Sequence, residues 1–161
     1  MGVRCGSLTL LMLFLLTTST SVRQLDESSS CAVKSIPATD WASVDGGRFR
    51  LSLPADFRAR SVGLIDSEVH EWRDPSGRTI LSDWGPYSDD LTRLPDGFTS
   101  CSEEIGGQPA RIVFGLDRQG KFMVAAAWRS VGPLTLAVRG NDPNDLALLL
   151  TVLRSTTFKA K

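Results

Sequence analysis

The stretch KFMVAAAWR, residues 121–129, decides the fold class. Side chains of a strand point alternately to its two faces, and here both faces are apolar. One face carries Phe122, Val124, Ala126 and Trp128, and the other carries Met123, Ala125 and Ala127. Because a strand with two apolar faces needs cover on both sides, residues 121–129 are predicted to lie inside a sheet with a packed layer on each face.

Other segments have the pattern of strands that pair around this one. They are residues 48–53, 67–73, 78–84, 111–116 and 134–139. The segment 48–53 alternates strictly, with Phe49, Leu51 and Leu53 on one face. Residues 74–77, Asp-Pro-Ser-Gly, have type I turn chemistry, which indicates a hairpin between the second and third strands. The sequence therefore predicts an antiparallel sheet of about six strands.

The end of the chain is predicted to form a helix that packs on this sheet. Asp142 suits the N-cap, Pro143 suits the first turn, and Asp145 lies near the positive end of the helix dipole. The apolar stripe that follows consists of Leu146, Leu149, Leu150 and Leu153. The predicted fold class is α+β, and the two covered sheet faces favour an α/β/α sandwich.

The beginning of the chain has the pattern of a secretory signal peptide. Arg4 precedes the apolar run 8–16, and small hydroxyl side chains follow, so residues 1–21 are predicted to be a leader. An uncleaved anchor and a lipid attached at Cys31 are the alternatives. Residues 22–40 are polar and are predicted to be a flexible tether, and residues 41–161 a single globular domain.

The charge and the cysteine content indicate which compartment and which classes of partner to expect. The chain has 18 basic and 18 acidic residues, which gives no basis for binding nucleic acid or an anionic membrane. Membrane association is expected only through a retained leader or a lipid. Once Cys5 leaves with the leader, Cys31 and Cys101 remain, and an oxidising compartment favours a disulfide between them. The expected location is secreted, periplasmic or in the cell envelope.

Two segments carry a resemblance to a known fold. They are residues 46–54, Gly-Gly-Arg-Phe-Arg-Leu-Ser-Leu-Pro, with Phe57 close behind, and residues 153–158, Leu-Arg-Ser-Thr-Thr-Phe. Together with the leader, two hairpins and the final helix, they resemble the PsbP/Mog1-like fold of oxygen-evolving-complex proteins and their bacterial secreted or lipoprotein relatives. The resemblance covers roughly residues 41–158. It implies an α/β/α sandwich and a binding role, and it supplies no catalytic residues.

Motifs for nucleotide phosphates, dinucleotides, zinc proteases and calcium loops are absent from the sequence, and no cofactor is expected. The one histidine, His70, alternates with Asp66 and Glu68, so a strand would place the three on one face. Such a set can bind a divalent metal. The alternative, which we prefer, is a solvated polar face.

The segment 85–107 is the predicted binding surface, because it lacks periodicity and is long for a connection. This segment and the end of the preceding strand contain both aromatic and acidic side chains. They are Trp84, Tyr87, Asp89, Asp90 and Phe98. The competing interpretation is a segment that only caps the core, with Phe98 inside.

These observations predict a non-catalytic binding or accessory domain whose partner is an envelope protein or a small ligand. The alternative is a metal-dependent or carboxylate-based enzyme that uses Asp66, Glu68 and His70.

Overall fold

The computed structural model describes residues 31–62, 66–141 and 143–160. The predicted leader, the tether before Cys31 and the predicted N-cap Asp142 lie outside these ranges. In the part of the chain that the structure describes, no helix is long and apolar enough to cross a membrane.

Within the described residues the chain forms ten strands and one α-helix. In order they are β1 (Trp41–Asp45), β2 (Phe49–Pro54), β3 (Arg58–Arg60), β4 (Glu68–Arg73), β5 (Thr79–Trp84), β6 (Thr99–Ile105), β7 (Gln108–Leu116), β8 (Phe122–Trp128), β9 (Leu134–Gly140), α1 (Leu146–Arg154) and β10 (Thr157–Phe158). A short 3-10 helix, Pro143–Asp145, precedes α1.

The strands form two antiparallel sheets, which confirms the predicted α+β class. The large sheet has seven strands in the order β3-β4-β5-β9-β8-β7-β6, and the small sheet has the order β1-β2-β10. The prediction of about six strands in one sheet was wrong in two respects. The large sheet gains β3 and β6, whose exposed or polar side chains give no apolar alternation. The predicted first strand, now β2, pairs within the small sheet instead.

One face of the large sheet is covered by α1 and the small sheet. Phe122, Val124, Ala126 and Trp128 of β8 are buried there. All four leucines of the predicted helical stripe are buried against the same face, so that prediction is confirmed. The helix itself begins at Leu146, with Asp145 at the N-cap.

The opposite face of β8 is also covered, but not by a helix. Ala125, Ala127 and Val113 of the sheet pack against Leu91, with Phe98 and Leu94 beside them. Thus residues 85–98 form the second layer, and their conformation has neither helix nor strand. The α/β/α expectation is therefore corrected for the described residues: one side has a helix and a small sheet, the other an irregular segment.

The predicted disulfide joins Cys31 to Cys101, with 6.2 Å between the two Cα atoms. Cys101 lies in β6, an edge strand of the large sheet, and not in a loop as the sequence suggested. The bond closes a separation of 70 residues, which corresponds to about 4 kcal/mol of stabilisation in the chain-entropy description. It ties the beginning of the described chain to the sheet edge.

Arg154 at the end of α1 binds the same N-terminal segment. Its guanidinium pairs with both carboxylate oxygens of Glu103 on β6, at 2.7 and 2.9 Å. The same group donates to the backbone oxygens of Cys31, at 2.7 Å, and Val33. Only 17% of the Arg154 side chain is exposed, so these hydrogen bonds are shielded from water. The end of the predicted tether is thus part of the folded domain.

We predict that Arg154→Met lowers the free energy of unfolding by about 2 kcal/mol or more, because Glu103 and two backbone oxygens lose a charged donor. Urea unfolding followed by far-UV circular dichroism measures this. Arg139→Met is the matched control, since Arg139 is half-exposed and has one ion pair, with Asp117 at 3.3 Å. The control is expected to lose at most about 1 kcal/mol. Equal losses in the two variants would contradict the role given to Arg154.

The turn between β4 and β5 is built around a buried carboxylate. The backbone N–H of Gly77 donates to the oxygen of Asp74 at 3.1 Å, as a β-turn requires. The Asp74 side chain is fully buried and accepts hydrogen bonds from Ser76 Oγ at 2.9 Å and the backbone N–H of Arg78 at 2.8 Å. Burial raises the pKa of Asp74, but hydrogen bonds from Arg78 and Ser76 outweigh it and hold the pKa below its ordinary value of 3.8.

A lowered pKa in the folded state makes stability depend on pH. Asp74 contributes fully above its unfolded pKa of about 3.9, and the contribution is lost as pH falls through the lower folded pKa. We therefore expect the difference in unfolding free energy between the wild type and Asp74→Asn to be constant above about pH 5 and to shrink below about pH 4. Urea titrations at a series of pH values test this, and a difference that stays constant to pH 2 would contradict it.

Candidate functional site

A cleft of about 630 Å³ opens at one end of the large sheet, where the small sheet lies across it. We call it the Trp84 cleft. Its walls come from the turn before β2, the end of β5, the β6–β7 turn, the β8–β9 loop and the chain after β10. The lining residues are Gly47, Arg48, Trp84, Gly106, Gln108, Ser130, Val131, Phe158, Lys159 and Ala160.

Trp84 is held between a cation and a glycine. The Arg48 guanidinium lies over its ring, 5.3 Å from the ring centre, in a cation–π contact. On another side lies Gly132, where a Cβ atom would come within 2.8 Å of Trp84 Cζ2. The absence of a side chain at Gly132 therefore lets the indole occupy its place in the cleft wall.

Two cationic residues, Arg48 and Lys159, line the cleft. The backbone N–H of Lys159 donates to the oxygen of Arg48 at 3.0 Å, which continues the β10–β2 pairing and sets the two residues opposite one another. Each has one carboxylate beside it. Lys159 Nζ lies 2.8 Å from Asp45, and Arg48 Nε lies 3.9 Å from Glu68. The hydrogen bond from Lys159, followed by that from the Gly47 backbone, lowers the pKa of Asp45.

Phe158 forms an apolar part of the cleft and connects it to the core. Its ring packs edge-on against the buried Trp128, with 5.6 Å between centroids and 74° between planes. The β6–β7 turn approaches closely here, because a Cβ on Gly106 would lie 2.7 Å from the Thr156 oxygen and 3.1 Å from the Phe158 ring. Gly106 has φ of +61°, which also favours glycine.

The structure separates the residues of the predicted binding surface. Trp84 lines the cleft, whereas Phe98 packs against the second core cluster. Tyr87 is 76% exposed. Asp89 accepts a hydrogen bond from the Leu91 N–H at 2.7 Å, and Asp90 pairs with Arg129 at 3.4 Å. A binding role for this set, Trp84 included, stays a prediction.

The three side chains of the alternative metal site are not brought together. Glu68 and His70 are neighbours, with 3.4 Å between Oε1 and Nε2, and His70 stacks on Trp72. Among residues 31–62, 66–141 and 143–160, no group of three or more His, Cys, Asp or Glu side chains could hold a metal ion. Glu68 instead borders the cleft through Arg48.

Sequence reasoning missed most of the cleft. It singled out Trp84 because an aromatic residue beside Gly85-Pro86 ends a strand. Arg48 and Phe158 lay within the segments that carried the fold resemblance, but without an assigned role. Ser130, Val131 and Lys159 had no local signal, because a surface cation or a small loop residue is common everywhere.

Comparison with known proteins shows the fold. No protein-family model and no curated protein matches the chain. The arrangement of a large antiparallel sheet, a small sheet and a C-terminal helix is the PsbP-like fold, as the sequence resemblance implied. The solution structure of the cyanobacterial PsbP, CyanoP, from Synechocystis sp. PCC 6803 is similar with a TM-score of 0.51 and 12% identity. The match covers 80% of this chain and 99% of that one.

We predict that Gly132→Ala displaces Trp84, because the new methyl group would overlap the indole. In a ¹H–¹⁵N NMR spectrum, the indole N–H signal of Trp84 should shift, while that of the buried Trp128 stays in place. Gly77→Ala is the matched control, since Gly77 also has positive φ, +89°, but nothing lies within 4 Å of its added Cβ. An unmoved Trp84 signal in Gly132→Ala, or the same shift in both variants, would contradict the contact.

Proposed function

We propose that this protein is a secreted or envelope-associated domain that binds a ligand or partner without catalysis, and that the Trp84 cleft is its binding site. The observation that carries the proposal is the convergence of Trp84, Phe158, Arg48 and Lys159 in one cleft. Aromatic rings supply buried area and cations supply orientation, which is the usual composition of a binding site.

The location is supported by the disulfide and by the sequence pattern of the leader. Disulfides persist in oxidising compartments, and Cys31 and Cys101 are joined in the structure. A leader over residues 1–21 would deliver the chain to such a compartment. Attachment to a membrane would come only from a retained leader or a lipid.

The carboxylates beside the cleft support binding over catalysis. Asp45 and Glu68 each contact a cation, and the pKa of Asp45 is lowered, which suits a carboxylate that stays ionised. A general acid or base at neutral pH needs the opposite shift. We therefore assign Glu68 to the support of Arg48 and not to a metal set with Asp66 and His70. Tyr87, Asp89 and Asp90 form a second, exposed surface that a large partner could also touch.

The test is retention of a ligand or partner from an extract of the protein's own cell envelope. Immobilised wild-type domain is compared with the double variant Arg48→Met/Lys159→Met, and the retained proteins and small molecules are identified by mass spectrometry. We expect the double variant to lose what the wild type retains, because the cations that orient the ligand are gone.

Arg139→Met is the control, since Arg139 is a half-exposed cation at the other end of β9. It should retain the same species as the wild type, and all proteins should have similar thermal midpoints. Equal retention by the double variant would place the binding surface elsewhere. A wild type that retains nothing beyond an empty support would refute the binding function.

A further inference from the structure

We propose that the Trp84 cleft binds a small organic oxyanion: a carboxylate or phosphate carried on a flat, apolar body. This inference rests on the proposed binding function and gives it a ligand class. It follows from the charges, the aromatic walls and the size of the cleft.

The first observation is an arrangement of like charges. Arg48 and Lys159 lie opposite each other across the β2–β10 pairing and both line the cleft. Like charges directly opposite in a sheet are destabilising; Glu68 beside Arg48 and Asp45 beside Lys159 offset this repulsion in part, and an anion bound between the two cations would offset it further. Among the described residues that line the cleft, two are cationic and none is acidic.

The neighbouring carboxylates engage the two cations to different degrees, and Arg48 is the more weakly paired of the two. Glu68 stands 3.9 Å from Arg48, and both side chains are well exposed, 40% and 66%, so their attraction is weak. Asp45 contacts Lys159 through both oxygens, yet it lies outside the cleft lining. A guanidinium can bind an oxyanion through two parallel hydrogen bonds, and an ammonium adds a third donor beside it.

The second observation is the apolar surface next to the cations. Trp84, Phe158 and Val131 line the same cleft. The Arg48 guanidinium lies over the Trp84 ring and Gly132 lies close to it, so a planar ligand would meet an aromatic wall directly beside a cation. Gln108 and Ser130 supply neutral hydrogen-bonding groups for orientation.

The size of the cleft favours a small molecule over a protein segment. Its volume of about 630 Å³ lies in the range typical of small-ligand pockets, roughly 300–1,000 Å³. A ligand with one anionic group and one aromatic ring would reach both the cations and Trp84 at once.

The test is an NMR titration of the ¹⁵N-labelled full domain with its disulfide intact. The probes are benzoate and phenyl phosphate, and benzyl alcohol is the neutral control of similar shape. We expect both anions to shift the backbone signals of Ser130, Val131 and Lys159 and the indole signal of Trp84. Arg48→Met and Lys159→Met should each weaken binding about tenfold, as loss of one charged hydrogen bond implies. Arg139→Met should leave it unchanged.

The outcomes separate the ligand class from the binding function. Stronger binding of phenyl phosphate than benzoate identifies a phosphate as the oxyanion, and the reverse order identifies a carboxylate. Equal shifts with benzyl alcohol, or undiminished affinity in both methionine variants, would overturn the oxyanion proposal. So would the absence of any shift at these residues with either anion. If the wild-type domain still retains an envelope species that the double variant loses, the cleft binds something else and the proposed function stands.

Discussion

The contact between Trp128 and Phe158 joins the two sheets within the common core, and the candidate site is built on the same side chain. Trp128 is fully buried at the end of β8, and Phe158 belongs to the two-residue strand β10. By backbone pairing with β2, the end of the chain completes the small sheet. Phe158 also forms part of the cleft wall. The next residue, Lys159, pairs with Arg48 through its backbone and with Asp45 through its ammonium group. Core packing and the candidate site therefore share one side chain.

The N-terminal segment is fixed at β6, an edge strand of the large sheet. The Cys31–Cys101 bond and the Arg154–Glu103 pair both tie β6 to residues outside the sheet. Edge strands with unpaired backbone groups favour association with other chains, and a covered, charged edge discourages it. Arg154 binds backbone oxygens of the segment, so this docking depends little on which side chains the segment carries.

The fold class could be predicted from sequence because its signals are local. The two apolar faces of residues 121–129, the Asp74 turn and the leucine stripe of α1 each lie within a few neighbouring residues. What escaped prediction depends on distant partners. β6 and β10 have little pattern of their own and become strands by pairing with β7 and β2. The cleft draws on five separate segments, and Arg154 meets Glu103 across 51 residues.

The proposed binding site is the Trp84 cleft, and not the segment 85–98 or the strands β4 and β5. Amide hydrogen–deuterium exchange, measured for the domain alone and in its own envelope extract, tests this without knowledge of the ligand. The account predicts slower exchange in residues 46–48, 106–108, 130–132 and 158–160, with the rest unchanged. Slower exchange confined to residues 85–98, or to β4 and β5, would contradict it.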